Sequence, residues 1–205
     1  MDSDKHSGPG LHRADYEADS CGFGLIASLD DVPSHWLVET AIQSLIRLTH
    51  RGAIASDGKT GDGCGLLLKR PENFLRAVAR EANIKLAPRF AAGLVFLNPM
   101  PSLASAARET LRVELERQGL TVAGWRLPPL DVRACGPEAL KTLPGIEQLF
   151  VNCPDAEIDE AGFNRKLFIA RRHAEQALLD DPVFYVPSLS ATTIVFKGMV
   201  MPQHL

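Results

Sequence analysis

The sequence contains no apolar run long enough to span a membrane. Its first 20 residues, MDSDKHSGPGLHRADYEADS, have no apolar core of the secretory-signal kind. These two absences lead to the expectation of a cytoplasmic protein with no membrane partner. There is no excess of one charge either. The 22 Lys and Arg residues face 25 Asp and Glu, the net charge is -3, and the basic residues are scattered rather than massed. That excludes the electrostatic footprint of a nucleic-acid binder. The 4 cysteines, Cys21, Cys64, Cys135 and Cys153, include no C-x-x-C pair, and no histidine stands at zinc-ligand spacing to any of them. No metal site is therefore expected. Without a secretory signal, disulfides are not expected either. Cys64, Cys135 and Cys153 read as packed, inert thiols. Internal repeats and low-complexity tracts are lacking as well.

What remains is an ordinary globular composition, 45% hydrophobic and 23% charged over 205 residues, enough for one sizeable core. Residues 1–20 are polar and read as a flexible leader, with a single domain over 21–205. The run from Cys21 to Leu29 predicts a buried strand. Ser34 is placed to cap a helix from about His35 to Thr49, whose apolar face is Leu37, Ala41, Leu45 and Leu48. A loop dense in Gly and Asp covers 56–63. Strands are predicted at Cys64–Lys69, Phe90–Leu97, Thr121–Leu127, Gly145–Asn152, Val183–Val186 and Thr192–Phe196. Helices are predicted at about Glu72–Ala82 behind Pro71, from a Ser102 cap to Gln118 with Gly119 as its stop, and at about Asp159–Leu179. The charged face of this last helix, Arg165, Lys166, Arg171, Arg172 and Glu175, reads as solvated. Hairpin-like strand pairs mixed with helices point to an α+β fold with a largely antiparallel sheet rather than a regular βαβ array.

Cys21 stands apart from the other cysteines because it follows the leader directly and precedes Gly22. If the leader is removed, Cys21 gains a free α-amine with an ordinary pKa of about 7.7–8.0, suited to a general base. The amine takes the thiol proton, the thiolate attacks an amide carbonyl, and the ammonium returns the proton to the leaving ammonia. Nucleophile and base then reside in one residue. Gly22 lets a substrate approach the backbone closely.

The segment Asp19-Ser20-Cys21-Gly22-Phe23-Gly24 resembles the maturation site of glutamate synthase large subunits. The same holds for Leu48-Thr49-His50-Arg51-Gly52-Ala53 and for Thr60-Gly61-Asp62-Gly63-Cys64-Gly65. Further along, Gly124-Trp125-Arg126, Arg165-Lys166-Leu167-Phe168, Ser188-Leu189-Ser190 and Thr193-Ile194-Val195-Phe196-Lys197-Gly198-Met199 follow in the family's order. The resemblance covers residues 15–205. It implies an N-terminal-nucleophile hydrolase-like four-layer αββα sandwich, incomplete in this sequence, that hydrolyses L-glutamine and passes ammonia onward. Cys21 maps to the catalytic nucleophile. Gly22, Arg51 and Gly52 map to its support, with Arg51 orienting the cysteine backbone or neighbouring loops. A turn-forming role is expected for Asp62. No substrate-binding residue is assigned.

For the full enzyme the resemblance implies FMN, an iron–sulfur cluster and NADPH or ferredoxin, amination of 2-oxoglutarate, and as partners the rest of the synthase chain and a small electron-transfer subunit. No cofactor is assigned to this sequence itself. It departs from the family pattern in two ways. Thr192 stands where an arginine is expected, which removes a salt bridge or a contact to a neighbouring domain. The R-F-S-T-N-T and N-G-E-I-N segments, which in the family bind glutamine and form the oxyanion hole, are not in this sequence. Losing one oxyanion donor typically costs about 2.7–4 kcal/mol of transition-state stabilisation. The 205-residue piece alone is therefore expected to be nearly inactive. Three other readings stay open: another N-terminal-nucleophile amidohydrolase such as an acylase, a non-catalytic remnant or scaffold, and a fragment of a full synthase.

Overall fold

A computed structural model describes residues 22–205; Cys21 and the segment expected to be a leader, residues 1–20, lie outside the described residues. Helix α1, His35–Arg47, ends in a 3-10 turn, Thr49–Arg51. Strand β1, Cys64–Lys69, leads to α2, Glu72–Glu81, and β2, Phe90–Leu97. Next come α3, Pro101–Arg117, β3, Thr121–Arg126, the short α4, Pro137–Lys141, and β4, Gly145–Asn152. The long α5, Glu160–Ala177, precedes the hairpin of β5, Tyr185–Ser190, and β6, Thr193–Gly198.

All strand pairs are antiparallel. Four strands pair in the order β3-β4-β2-β5, and β1 pairs with β6 in a two-stranded sheet. Strand β2 is central and buried on both faces. Its Ala91, Val95 and Leu97 meet the apolar stripes Ala104, Ala107, Leu111 and Leu115 of α3 and Phe163, Leu167, Ala170 and Ala174 of α5. The alanines at 107, 170 and 174 keep the two helices close to the sheet. On the other face Phe90 and Ala92 pack with Phe150 of β4, Ile194 of β6, Leu68 of β1 and Leu75, Val78 and Ala79 of α2. The two sheets thus share a core, with α3 and α5 outside one and α1 against β1 outside the other. This is an α/β/β/α layer order.

One side-chain hydrogen bond links the two sheets, and one glycine makes a close approach within the larger of them. The Ser188 hydroxyl of β5 accepts the Val195 N–H of β6 at 3.0 Å. Gly93 of β2 lies so close to β5 that a methyl placed on it would stand 2.8 Å from Leu189 Cα and closer still to the Ser188 carbonyl. Helix α3 ends in a Schellman motif. Gly119 has φ of +72°, its N–H donates to Glu116 O at 2.8 Å, and Leu120 N–H donates to Leu115 O at 3.0 Å.

The structure corrects several expectations. Residues 22–28 form no strand, and Phe23, Leu25 and Leu29 are 93%, 90% and 103% exposed. The run has strand composition, but no described strand pairs with it and no described layer covers it. Helix α3 starts at Pro101 with Met100 as its N-cap, not at a Ser102 cap, because the fixed φ of proline suits the first helical position. Ser34 does occupy the N-cap of α1, without a side-chain cap bond. Strand β5 begins later than Val183 because Asp181 holds a turn: its carboxylate accepts Val183 N–H at 3.1 Å and its carbonyl accepts Phe184 N–H at 3.2 Å. The predicted face of α1, from Leu37 to Leu48, is half-buried rather than core.

Candidate active site

The nucleophile expected at Cys21 lies outside the described residues, so the site is built from its neighbours. Gly22 rests against the end of α1. A methyl placed on it would stand 3.4 Å from Leu48 Cδ1 and 3.9 Å from Arg51 Cβ. The fold therefore brings Gly22 and Arg51 side by side. Arg51 and Gly52 are both exposed. Gly52 has φ of -96°, a value any residue adopts, and its N–H donates to Thr49 O at 3.2 Å. Nothing in the local backbone demands a glycine there, so any requirement for Gly52 comes from what approaches it.

Beyond Gly52 the chain is zipped onto the glycine-rich loop. Ala53 N–H donates to Asp62 Oδ2 at 2.7 Å, and Asp62 N–H returns a bond to Ala53 O at 3.2 Å. Ile54 bridges Gly61, and Ala55 N–H donates to Thr60 O at 2.8 Å. Asp62 thus joins the loop to the segment after Gly52, rather than closing a turn of its own. Gly63 has φ of +107°, a left-handed conformation that favours glycine.

The residue that organises this loop is one the sequence reading passes over. Asp57 Oδ1 accepts the N–H groups of Lys59 and Thr60, each at 2.8 Å. Its Oδ2 accepts the Thr60 hydroxyl at 2.6 Å and Glu138 N–H at 3.2 Å. Thr60 is buried, and its Oγ1 in turn accepts Ala139 N–H at 3.2 Å. The Thr60 hydroxyl, followed by the N–H groups of Thr60 and Lys59, holds the Asp57 carboxyl well below the usual carboxylate range. Helix α4 therefore docks its first turn onto Asp57 and Thr60. Gly136, just before α4, permits the contact: a methyl there would stand 2.6 Å from both Asp57 Oδ2 and Thr60 N, and closer to Thr60 Oγ1. The signals in the sequence are the D-x-x-T spacing of Asp57 and Thr60 and the Gly136-Pro137 helix start.

The remaining candidates are quickly placed. Cys64, Cys135 and Cys153 are free thiols. Burial pushes the Cys64 thiol up, and its Sγ donates to Val200 O at 3.4 Å, so it is held as a thiol rather than a nucleophilic thiolate. Thr192, in the β5–β6 turn, is held by the Ser190 hydroxyl, which accepts Thr192 N–H at 3.0 Å and donates to Asn164 Oδ1 at 3.1 Å. The turn is closed without the arginine that the family pattern leads one to expect. Among the described residues no group of three or more His, Cys, Asp or Glu side chains is placed to hold a metal ion, so these residues do not fit an iron–sulfur cluster. No described helix is long and apolar enough to cross a membrane.

Two antiparallel sheets sharing a core between helices form the mixed α+β architecture of the N-terminal-nucleophile hydrolases. Residues 21–205 match the family of class-II glutamine amidotransferases, and the chain belongs to that family. It is 34% identical over 197 residues to the glutamate synthase (NADPH) large chain of Bacillus subtilis, a match covering 96% of this chain and 13% of that protein. It is 38% identical over 186 residues to ferredoxin-dependent glutamate synthase 2 of Synechocystis sp., covering 90% and 12%. With ferredoxin-dependent glutamate synthase 1 of Arabidopsis thaliana the identity is 35% over 196 residues, covering 92% and 12%. The chain thus spans 12 or 13% of the length of these relatives.

Proposed function

We propose that this chain is the glutaminase portion of a glutamate synthase, with Cys21 as its nucleophile once residues 1–20 are removed. The observation that carries the reading is the meeting of Gly22 with Leu48 and Arg51, which brings the residue after Cys21 against the Arg-Gly motif. The family match, which begins at residue 21, supports it independently.

The chemistry follows from the residues. The α-amine of Cys21 accepts the thiol proton, and the thiolate adds to the side-chain amide carbonyl of L-glutamine. Collapse of the tetrahedral adduct breaks the C–N bond, and the ammonium gives its proton to the departing ammonia. A water then cleaves the glutamyl thioester to glutamate and restores the thiol. Arg51 holds the cysteine backbone or the adjoining loops in line. In the whole protein the ammonia passes to a second site for amination of 2-oxoglutarate; the relatives, named as glutamate synthases, support a product of that kind. The resemblance implies oxyanion donors on segments that this sequence does not contain, and the 205-residue piece alone is expected to hydrolyse glutamine poorly.

The test is ammonia release from L-glutamine by the polypeptide as its own cell makes it. Release that disappears in Cys21→Ala is expected. Equal release from the variant would overturn the assignment.

A further inference from the structure

The hydrogen bonds of the glycine-rich loop form one continuous path from α4 to Ala53, two residues after Arg51. Glu138 N–H and Ala139 N–H bond to Asp57 Oδ2 and Thr60 Oγ1. Asp57 closes the loop on Thr60. Thr60 O and Gly61 pair with Ala55 and Ile54, and Asp62 clasps Ala53 through both its backbone and its carboxylate. Ala53 follows Arg51 and Gly52, and Arg51 with Leu48 is the surface on which Gly22 lies. The loop has few apolar anchors of its own. Residues 56, 58, 59, 62 and 63 are exposed, whereas Thr60 and Gly61 are buried. Its shape therefore depends on the acceptor pair of Asp57, a half-buried side chain with no other described partner chemistry.

We propose that Asp57 is a positioning residue for the glutaminase reaction, fixing the 53–63 loop against α4 so that Arg51 and Gly52 stand in line with the Cys21–Gly22 backbone. The inference rests on Cys21 being the nucleophile. Asp57 touches neither substrate nor nucleophile. Its loss lets the Arg51–Ala53 segment drift, and small displacements of a nucleophile from attack geometry cost rate in the chemical step rather than substrate affinity. Thr60 acts with it, since its hydroxyl both donates to Asp57 and accepts from α4. In Asp57→Asn the amide can still accept from the loop N–H groups, but it presents an NH2 where Glu138 N–H also donates, so the join to α4 is broken. Thr60→Val removes the hydroxyl at nearly constant shape, and Thr60→Ser keeps it.

The experiment uses the full polypeptide from its own cell and compares wild type, Cys21→Ala, Asp57→Asn, Thr60→Val and Thr60→Ser. Steady-state ammonia release from glutamine is read together with the alkylation rate of Cys21 by iodoacetamide. In Asp57→Asn and Thr60→Val we expect kcat to fall by about tenfold or more with KM within about threefold, while Thr60→Ser stays within about twofold of wild type. Alkylation of Cys21 stays near the wild-type rate in all but Cys21→Ala, because the thiol and amine are intact and only their placement is lost. A kcat near wild type in both variants, a change in KM alone, or a loss in Thr60→Ser equal to that in Thr60→Val overturns the inference while leaving Cys21 in place. Should Asp57→Asn not accumulate as folded protein, the Thr60→Val and Thr60→Ser pair decides. If Cys21→Ala releases ammonia as wild type does, the nucleophile assignment fails, and the inference with it.

Discussion

Gly136 and Asp57 are far apart in sequence and in contact in the fold, and the contact leaves no room for a methyl group. Gly136→Ala is therefore expected to destabilise the protein by about 1–3 kcal/mol, the usual cost of overpacking. Gly24→Ala, where a methyl would meet nothing within 4 Å, should be neutral. Urea unfolding of the two variants checks the pair. Asp57 also gives a pH signature. Its carboxyl is depressed in the folded state, so its contribution is fully present above the unfolded carboxylate value of about 3.9. It declines as pH falls below that value, because the unfolded chain then binds a proton that the folded chain does not, and it is gone once pH has passed through the folded value. The gap in unfolding free energy between wild type and Asp57→Asn should accordingly narrow as the pH is lowered from 7 toward 3; a gap that stays constant would contradict the assignment. Little of this was legible in the sequence. Asp57 and Thr60 show a turn spacing, but nothing local says that the turn is the landing place of a helix some 80 residues on.

At the scale of elements, β2 and β4 have the bounds predicted for them: β2 is a continuous apolar run between Arg89 and Asn98, and β4 buries Gln148 to Val151 at its centre. The N-terminal run, Gly22 to Leu29, shows the limit of the same logic. Apolar composition states that a segment gains by being covered, not that a partner strand lies beside it, and here Phe23, Leu25 and Leu29 stay exposed. Helix α4 escapes the sequence reading because its 5 residues are too few to display a helical period. Strand β5 starts at Tyr185 rather than Val183 because of the Asp181 turn, which no hydrophobic pattern reveals. Two substitutions test the element packing. Gly93→Ala would push β2 from β5, where Ser188 O and Leu189 Cα already touch the glycine, and should prevent folding or cost several kcal/mol, read by circular dichroism during thermal unfolding. Asp159→Ala removes the N-cap bond from Gly162 N–H, 2.8 Å long, and should lower stability by about 1 kcal/mol without changing the fold.

At the scale of the whole molecule, the layers give the site its rigidity. Helices α3 and α5 clamp the four-stranded sheet, which backs the two-stranded sheet of β1 and β6, and α1 on the outer side carries Leu48 and Arg51 to Gly22. The α+β class and the antiparallel sheets follow from the alternation of hairpin-like pairs and helices. The family was legible from motifs in family order, and the chemistry proposed for it rests on one residue in its setting, a cysteine followed by glycine after a polar segment. The central claim is that this cysteine works through its own α-amine. The most direct test is the N-terminal residue of the protein isolated from its own cell, determined by mass spectrometry of the N-terminal peptide. The account predicts a chain that begins at Cys21 with a free amine. A chain that still carries Met1, or any residue ahead of Cys21, would contradict it, because the thiol would then have no amine of its own to accept its proton.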